Sequence, residues 1–359
     1  MATARKDSRR ASERRSRDRV TAPWLSVLIP AYNVAPYVAE CIDSVMTQAD
    51  DGVEVLALDD CATDDSLAQL EALSTRWHGR LRVLRHARNA GLSAARNSLL
   101  DAATGRYVWF LDGDDKLLPD ALPALRRIVE RDAPDLVLCD FRVWRERMRL
   151  KHRLRGELHR RTFDGPAARL SQDRCAPLAG MLMTGELHAW SKIARRALWG
   201  DDLRFPPGQY FEDMATMPQL ALRARSFYYQ PTPWVAYRQR GSSILATMNL
   251  QKCFDQSRAL SGLSHALEAD GTAPCRDDAR VRLAMAQQSA RNLIGAMRFL
   301  KSQRHEPGVG DLSALAERVR EDFRTLSPLS PVQLERAYLA RGWWLRYLRF
   351  HRAFQPWQA

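Results

Sequence analysis

The chain has 359 residues, 45% of them hydrophobic, enough for a large core in one domain with an extension or in two domains. Its formal charge of +13 and isoelectric point near 9.9 favour polyanionic partners: nucleic acid, anionic lipid or phosphorylated substrates. No apolar run approaches the roughly 18–20 residues that span a bilayer, and no apolar segment follows the first charged residues. We therefore expect neither a transmembrane helix nor a secretory signal.

The first 22 residues are rich in Arg, Ser and Asp and lack apolar periodicity, which predicts a disordered basic tail. From Trp24 onwards, the pattern predicts strands at 25–29, 53–58, 81–84, 107–111 and 135–139, with helices between them. Gly105 is expected to cap the helix at 92–103, and Pro119 to begin the next helix. Strands that alternate with helices form βαβ units and a mostly parallel α/β sheet.

Six cysteines are spread along the chain without a Cys-x-x-Cys pair: Cys41, Cys61, Cys139, Cys175, Cys253 and Cys275. This spacing argues against a zinc site and against a disulfide framework. It is typical of a reducing compartment, so we expect free thiols and a cytoplasmic protein.

Two acidic motifs end predicted strands. Asp59 and Asp60 close the second strand, and Asp112, Asp114 and Asp115 follow the fourth. Because ligands of such a sheet lie at the carboxyl ends of its strands, both motifs are expected at one edge. Clustered carboxylates repel each other, and a hard cation such as Mg²⁺ or Mn²⁺ offsets this repulsion while it binds substrate phosphates. A solvated acidic turn is the alternative interpretation.

The usual nucleotide-binding loops are missing, since the sequence contains neither Gly-x-Gly-x-x-Gly nor a Walker A pattern. The Gly-x-Ser-x-Gly elbow of hydrolases is also missing. A parallel sheet with acid at its strand ends and no such loop indicates that the phosphates of a nucleotide are held through a metal ion.

Two further regions are basic. Residues 141–175 carry many arginines and few aromatics, which predicts a solvated, lid-like excursion rather than a nucleic-acid arm. Residues 246–359 have helical periodicity, and the last segment places aromatics on one face and arginines on the other. This composition predicts an interfacial helix beside anionic lipid, with packing of the aromatics on the main domain as the alternative. The aromatics are Trp343, Tyr347, Phe350 and Phe354, and the arginines are Arg341, Arg349 and Arg352.

Four stretches resemble the glycosyltransferase family 2 pattern in order and spacing. They are Ser26-Val-Leu-Ile-Pro-Ala-Tyr-Asn33, Leu58-Asp-Asp60, Ala94-Ala-Arg-Asn97 and Ala103-Thr-Gly-Arg-Tyr-Val-Trp-Phe-Leu-Asp-Gly-Asp-Asp115. Weaker matches follow at 190–192, 205–213 and 237–243. The resemblance implies a GT-A fold over residues 23–245 with a helical region at 246–359. It also implies an inverting transfer of sugar from a nucleotide diphosphate donor.

The resemblance also implies roles on the donor side. The first loop beside the nucleotide contains Pro30, Tyr32 and Asn33. Asp60 is expected to accept a hydrogen bond from the base, typically uracil. Cys61-Ala62 stands where the family usually has Gly-Ser, so the turn after Asp60 must form without glycine. Asp112 and Asp114 form the Asp-x-Asp motif, in which Asp112 faces the ribose or the metal and Asp114 coordinates Mn²⁺ or Mg²⁺.

The general base implied by the resemblance is Asp213, with Glu212 as its competitor; a helix cap is the alternative role for Asp213. The cations that can reach the diphosphate are Arg96, Lys192, Arg238 and Arg240, since Arg and Lys bind phosphate well. Structural or solvated roles are the alternatives for each. Trp190 is expected in the core rather than as a platform for a sugar.

The sequence thus predicts a metal-dependent, inverting glycosyltransferase that uses a nucleotide sugar, most typically a UDP-sugar. The acceptor would be a hydroxyl of a glycan or lipid-linked molecule in surface polysaccharide synthesis. We expect the protein in the cytoplasm, peripheral at the inner face of the membrane, without nucleic acid. The alternatives are a nucleotidyltransferase on a similar sheet, a basic nucleic-acid-binding protein and a catalytically inactive family member.

Overall fold

The structure is a computed structural model that describes residues 22–145, 147, 149–239, 248–269, 275–304 and 311–356. The predicted basic tail lies outside the described residues except for Ala22. Arg240 and the expected domain boundary at 245/246 also lie outside them.

Strands and helices alternate over the first part of the chain, as predicted. The elements are β1 Leu25–Ala31, α1 Ala35–Met46, β2 Val53–Asp59, α2 Ser66–Arg76, β3 Leu81–Arg85, α3 Leu92–Ala102 and β4 Tyr107–Phe110. They continue with β5 Lys116–Leu117, α4 Ala121–Asp132, β6 Leu136–Trp144, α5 Leu150–Leu154, β7 Leu170–Ser171, α6 Ala176–Thr184, β8 Lys192–Arg195, α7 Glu212–Arg223 and β9 Phe227–Arg238. The described residues beyond 248 form helices: α8 Leu250–Arg258, α9 Ser261–Ala269, α10 Ala279–Ser302, α11 Leu312–Leu326, α12 Pro331–Ala340 and α13 Trp344–Phe354.

In the described part of the chain, nine strands form one mixed sheet in the order β3-β2-β1-β4-β8-β6-β9-β5, with β7 paired to β9. The four strands β1 to β4 are parallel, as expected. Strand β8 is antiparallel to both β4 and β6, so the second half of the sheet departs from the mostly parallel arrangement that was predicted.

Both faces of the sheet are covered, which explains the near-continuous apolar runs of its strands. Leu25, Val27 and Ile29 of β1 point to the face covered by α1, α2 and α4. Leu28 points to the other face, where α3, α6, α7, α9 and part of α10 pack. Because α9 and α10 share this second core, the C-terminal helices pack directly on the α/β part.

Gly105 and Pro119 have roles that differ from the predicted ones. Helix α3 ends at Ala102, and Ala103 is already extended, so Gly105 does not cap it. A Cβ on Gly105 would lie 2.6 Å from the backbone nitrogen of Ser26, so glycine is required there by the close approach of the turn to β1. Pro119 precedes Asp120, the N-cap of α4, and therefore lies outside that helix.

The basic stretch at 141–175 is only partly a solvated excursion. Strand β6 extends to Trp144, and Phe163 is fully buried in the core. The Thr162 hydroxyl donates to the Cys139 carbonyl at 2.7 Å, which fixes the return of this segment to the sheet. The excursion is therefore limited to its middle, around α5.

The expectation of free cysteines throughout was wrong for one pair. Cys175, just before α6, and Cys275, just before α10, form a disulfide across 100 residues of sequence. Spacing could not reveal this bond, since its partners meet only through the packing of α6 against α10. Cys41, Cys61, Cys139 and Cys253 are free thiols.

The aromatic face of the last helix was predicted to contact lipid, and this was wrong. Phe350 is fully buried, with its ring 5.0 Å from that of Phe323 in α11. The ring of Phe354 lies 5.6 Å from Phe323, and that of Trp343 lies 6.2 Å from Tyr338. These aromatics form the core of the C-terminal helices, as the alternative interpretation held. Among the described helices, none has both the length and the apolar content needed to cross a bilayer.

Candidate active site

The carboxyl ends of β1, β2 and β4 meet at one edge of the sheet. Ala31 pairs with Asp59 across β1 and β2, and Leu28 pairs with Phe110 across β1 and β4. Strands β1 and β2 end at the same level, and β4 ends three residues earlier, opposite Leu28, so the loops that follow lie at the same edge. The two acidic motifs therefore lie at one edge, as the alternation of strands and helices predicted.

The first loop presents one exposed ring. Pro30 is buried within β1, whereas the Tyr32 side chain is exposed at the edge. Asn33 has a left-handed backbone with φ 52°, and its Oδ1 accepts a hydrogen bond from the Thr63 backbone nitrogen at 2.8 Å. Of the three residues expected beside the nucleotide, Tyr32 offers the most surface, while Pro30 and Asn33 shape the loop.

Asp60 is buried and organises a neighbouring loop. Its Oδ1 lies 2.6 Å from His86 Nδ1 and accepts from the Ala90 backbone nitrogen at 3.0 Å. Its Oδ2 accepts from the Gly91 nitrogen at 2.8 Å. Cys61, which replaces the family's usual glycine, adopts φ 57°, a strained value for a residue with a side chain.

The Asp112–Asp115 loop separates its acids. The Asp112 side chain is partly exposed, whereas Asp115 is buried and its Oδ1 accepts from the Arg238 backbone nitrogen at 2.8 Å. Burial and the charges of Asp114 and Asp112 raise the pKa of Asp115 well above its usual value. Asp115 Oδ2 has no hydrogen-bond partner, which is consistent with a protonated carboxyl that supports the turn.

The residues at this loop fit a divalent cation shared with a substrate. Within the residues that the structure describes, no group of three or more His, Cys, Asp or Glu side chains could hold a metal alone. Mg²⁺ and Mn²⁺, however, commonly take one or two protein carboxylates and complete their shell with phosphate oxygens and water. Asp112 and Asp114 would supply that donor set, and a cation would relieve the repulsion that adds to burial in raising the Asp115 pKa.

Arg96 joins this loop to the beginning of α7. Its Nη2 donates to Asp112 Oδ1 at 2.9 Å, and its Nη1 donates to Glu212 Oε1 at 2.8 Å and to Asp213 Oδ1 at 2.6 Å. The guanidinium is only 1% exposed. Burial opposes its charge, but the three carboxylates hold the Arg96 pKa above its usual value. Arg96 was expected to reach phosphate, and the structure instead binds it to these three acids.

Glu212 and Asp213 begin α7 after Phe211, whose φ of 61° turns the chain sharply into the helix. The N-cap of α7 is Phe211, so Asp213 is not the cap that the alternative interpretation proposed. Its Oδ2 accepts from the Ala189 backbone nitrogen at 3.1 Å. Burial and the charge of Asp213 raise the pKa of Glu212 to about 7. The two acids thus share one cation, and Glu212 titrates near neutral pH.

Lys192 and Arg238 were expected near the diphosphate. Lys192 is buried, and its Nζ donates to the carbonyls of Glu186 and His188 at 2.6 and 2.9 Å and to Ser191 Oγ at 2.8 Å. Burial lowers the Lys192 pKa to about 7, although Asp213 and Glu186 oppose this shift. Lys192 therefore anchors the segment at 186–191.

Arg238 supports the Asp112–Asp115 loop, called the metal loop below because it is expected to hold the cation. Its Nε donates to the Asp114 carbonyl at 2.8 Å, and its Nη2 pairs with Glu40 at 2.8 Å. The guanidinium lies over the rings of Trp144, at 3.7 Å, and Tyr37, at 4.6 Å. These contacts fix Arg238 beside the carboxylates that are expected to hold the cation.

His188, Trp190 and Tyr237 form an aromatic wall that was not predicted from the sequence. Trp190 is buried, as expected, and both other rings stack on it, His188 at 4.5 Å and Tyr237 at 5.5 Å. Because the rings of His188 and Tyr237 are only 5.9 Å apart, they lie side by side on Trp190. His188 precedes Ala189, which binds the base candidate, and Tyr237 precedes Arg238. His188 and Trp190 are two positions apart in the sequence, and this spacing was a weak local signal of the wall.

Comparison with known proteins agrees with this geometry. The family profile described as "Glycosyl transferase family 2" matches residues 26–184. This segment is a glycosyltransferase family 2 domain. The putative teichuronic acid biosynthesis glycosyltransferase TuaG of Bacillus subtilis is 41% identical over 103 residues, which cover 28% of this chain and 39% of TuaG. The chain spans about a third of the length of the first curated relatives that it matches.

Two solved structures have the same fold as the whole described chain. Residues 1–349 of S. aureus TarS, in complex with UDP-GlcNAc, align with a TM-score of 0.54 and 18% identity over 92% of this chain and 91% of TarS. The mannosyltransferase PcManGT of Pyrobaculum calidifontis, in complex with GDP-Man and Mn²⁺, aligns with a TM-score of 0.50 and 17% identity, over 93% of this chain and 86% of PcManGT. The expected GT-A fold of the family 2 domain is confirmed.

Proposed function

We propose that the chain is an inverting glycosyltransferase that moves a sugar from a nucleotide diphosphate donor to a hydroxyl of a glycan or glycolipid in surface polysaccharide synthesis. The observation that carries this proposal is the Arg96 cluster. It joins Asp112, on the expected donor side, to Glu212 and Asp213, on the expected acceptor side. A transferase needs both sets of groups within the length of one sugar.

The donor is a nucleotide sugar, for which we favour a UDP-sugar. The exposed Tyr32 ring and the Asp60 loop form the wall that would face a base and ribose. TarS is bound to UDP-GlcNAc and PcManGT to GDP-Man, so the assay below compares UDP-sugars with GDP-sugars as donors. TuaG is named as a putative teichuronic acid biosynthesis glycosyltransferase, which supports polysaccharide synthesis as the setting that we propose.

Asp114 and Asp112 would hold Mn²⁺ or Mg²⁺ together with the donor diphosphate. When bound, the cation supplies positive charge opposite the negative charge that develops as the diphosphate leaves. Arg238 keeps the backbone of Asp114 in place, while Arg96 orients the Asp112 carboxylate.

Asp213 is the general base in this proposal. Arg96 Nη1 and the Ala189 nitrogen fix both of its oxygens, and each oxygen retains a second lone pair for an acceptor hydroxyl. Glu212 carries its proton up to about pH 7, because burial and Asp213 raise its pKa. The positive charge of Arg96 is then balanced mainly by Asp213 and Asp112.

The aromatic wall would bind the sugar rings. One end of the wall is connected to the base through Ala189, and the other to the metal loop through Arg238. A pyranose presents C–H groups on one face, and these pack well on an aromatic ring. We assign His188 and Tyr237 to this contact. We also propose that the protein works in the cytoplasm, peripheral at an anionic membrane, and not on nucleic acid.

The function is tested by incubating the full chain with UDP-sugars or GDP-sugars and Mn²⁺ and measuring nucleoside diphosphate release. We expect chelation by EDTA to stop the reaction and Asp114→Ala to slow it on the order of 10²-fold. Asp51→Ala, at an exposed carboxylate away from the site, is the matched control and should behave as wild type. Equal release from wild type and Asp114→Ala would refute the assignment of the metal ligand.

The same assay separates the alternative activity and the two base candidates. Pyrophosphate release from nucleoside triphosphates, without diphosphate release from sugars, would indicate a nucleotidyltransferase. Asp213→Asn should lower turnover by about 10²–10⁴-fold, as expected for loss of a general base. A larger loss in Glu212→Gln would transfer that role to Glu212, and NMR of the product anomer tests inversion.

A further inference from the structure

Exposed large apolar side chains concentrate in two surface segments. Scattered single residues of this kind are normal on a protein surface, whereas clusters mark contact sites. Seven of the nine in the described part of the chain lie at 150–158 or at 332–348. They are Leu150, Leu154, Leu158, Val332, Trp344, Leu345 and Leu348.

Helix α13 has two apolar faces. Phe350 and Ala353 face the C-terminal core and are buried. At about 100° per residue, Trp344, Leu345 and Leu348 lie together on the opposite side. They are 61%, 69% and 42% exposed. Packing within the described part of the chain therefore does not explain the second face.

The same exposed side is strongly basic. Arg349 and Arg352 are exposed and share the arc of Trp344 and the two leucines. Residues 331–356 contain five arginines and one acid, Glu335, whose carboxylate lies 2.9 Å from His351. Within the described ranges, no carboxylate forms an ion pair with Arg349 or Arg352. Their charge is available to an anionic partner.

The second segment repeats this composition. Leu150 and Leu154, one turn apart on α5, are 72% and 80% exposed. Lys151, Arg153 and Arg155 are exposed beside them. Protruding leucines among cations are typical of a surface that meets lipid headgroups and the start of the acyl layer.

Both segments are attached near the catalytic edge. Residues 147–158 follow Trp144, whose ring lies 3.7 Å from the Arg238 guanidinium that supports the metal loop. Helix α13 reaches the site through α6, since Arg346 Nη1 lies 3.9 Å from Met183 Sδ. Met183 precedes by three residues the 186–191 segment that Lys192 anchors. One segment is thus connected to the donor side of the site and the other to its acceptor side.

We propose that Trp344, Leu345 and Leu348, with Arg349 and Arg352, dock the protein on an anionic lipid bilayer, and that α5 adds a second contact. This inference deepens the membrane contact of the proposed function, on which it rests, by naming the docking face. The indole and the leucines enter the headgroup boundary, while the arginines bind lipid phosphates. It is the face opposite to the one that periodicity alone selected.

Flotation of the full chain with vesicles of 70% phosphatidylcholine and 30% phosphatidylglycerol tests the proposal. We expect wild type to float with these vesicles and to remain unbound with pure phosphatidylcholine. Trp344→Ser/Leu345→Ser/Leu348→Ser should abolish flotation. Arg349→Gln/Arg352→Gln should weaken binding by roughly fivefold per arginine, because each basic residue near anionic lipid contributes about that factor.

Leu170→Ser and Arg82→Gln/Arg225→Gln remove an exposed leucine and two exposed arginines elsewhere, and they should float as wild type does. Flotation of the triple variant at the wild-type level would overturn the proposal, as would failure of wild type to float. Gel filtration of the same proteins tests whether this face instead binds a second copy of the chain. If wild type is a dimer and the triple variant is a monomer, the face would be assigned to a second copy. Nucleoside diphosphate release in solution, measured in parallel, should be unchanged by both variants. If wild type floats but releases no nucleoside diphosphate, only the proposed glycosyl transfer would be refuted.

Discussion

Replacing Arg96 with Met removes the cation that three acids share. Asp112, Glu212 and Asp213 accept hydrogen bonds from its two terminal nitrogens at 2.6–2.9 Å. Removing one partner of a buried ion pair costs about 3–5 kcal/mol, because the remaining charge is left without compensation. The three carboxylates are 15–26% exposed, so water can partly solvate them. We therefore expect Arg96→Met to lower the free energy of unfolding by about 3 kcal/mol at pH 7.5.

Urea denaturation followed by circular dichroism measures this loss. In the variant, Glu212 has lost the cation that favours its ionised form, so lowering the pH, which protonates Glu212, should recover part of the stability. The difference between wild type and variant should thus be smaller at pH 5.5 than at pH 7.5. Arg82→Met, at an exposed arginine of β3, is the control and should change stability by less than about 0.5 kcal/mol. A loss under about 1 kcal/mol for Arg96→Met, or one independent of pH, would show that the cluster is solvated and would refute the reasoning.

Three further predictions follow from the same structure. Burial raises the pKa of Glu212 from 4.5 to about 7, so its contribution to stability is present below pH 4.5 and lost as the pH rises to 7. Glu212→Gln should flatten the pH dependence of urea stability over that window, and curves parallel to wild type would contradict the assignment. His188→Ala and Tyr237→Ala should each raise KM for the sugar-bearing substrates about tenfold. The Kd of free UDP, measured by calorimetry, should stay the same. Weaker UDP binding would place these rings at the uracil base instead. Cys175→Ser/Cys275→Ser should cost about 2–4 kcal/mol of stability, whereas unchanged stability with no linked peptide under non-reducing conditions would rule out the bond.

Much of the α/β architecture could be predicted because its signals are local. Each early strand is a short buried run, and each helix has a 3.6-residue apolar pattern, so β1 to β4 and α1 to α4 were recognised to within a few residues. The edge that carries Asp60 and Asp112 followed from the parallel alternation alone. Antiparallel β8 was missed, since its four residues have no periodicity that distinguishes them from a loop.

The contents of the site were only partly accessible from the sequence. Motif resemblance selected Asp112, Asp114 and Asp213. The connection of Asp112 to Asp213 through Arg96 has no local signature, because Arg96 and Asp213 are 117 positions apart. Lys192 was expected at the diphosphate because Arg and Lys bind phosphate well. Its burial, and the lowered pKa that results, depend on carbonyls that the 186–191 turn presents to it.

The sequence by itself determined the parallel strands β1 to β4, the acidic edge and the apolar stripes of the helices, because these depend on residues a few positions apart. Only the tertiary structure decided which stripe of α13 is covered, that Cys175 meets Cys275, and that one buried arginine serves both halves of the site. Each of these depends on elements far apart in the chain. Burial changes the pKa, accessibility and partners of a side chain, and the residues next to it in the sequence do not reveal this. In this protein the aromatic stripe with the stronger sequence signal closes the core, and the weaker stripe of Trp344, Leu345 and Leu348 faces outwards.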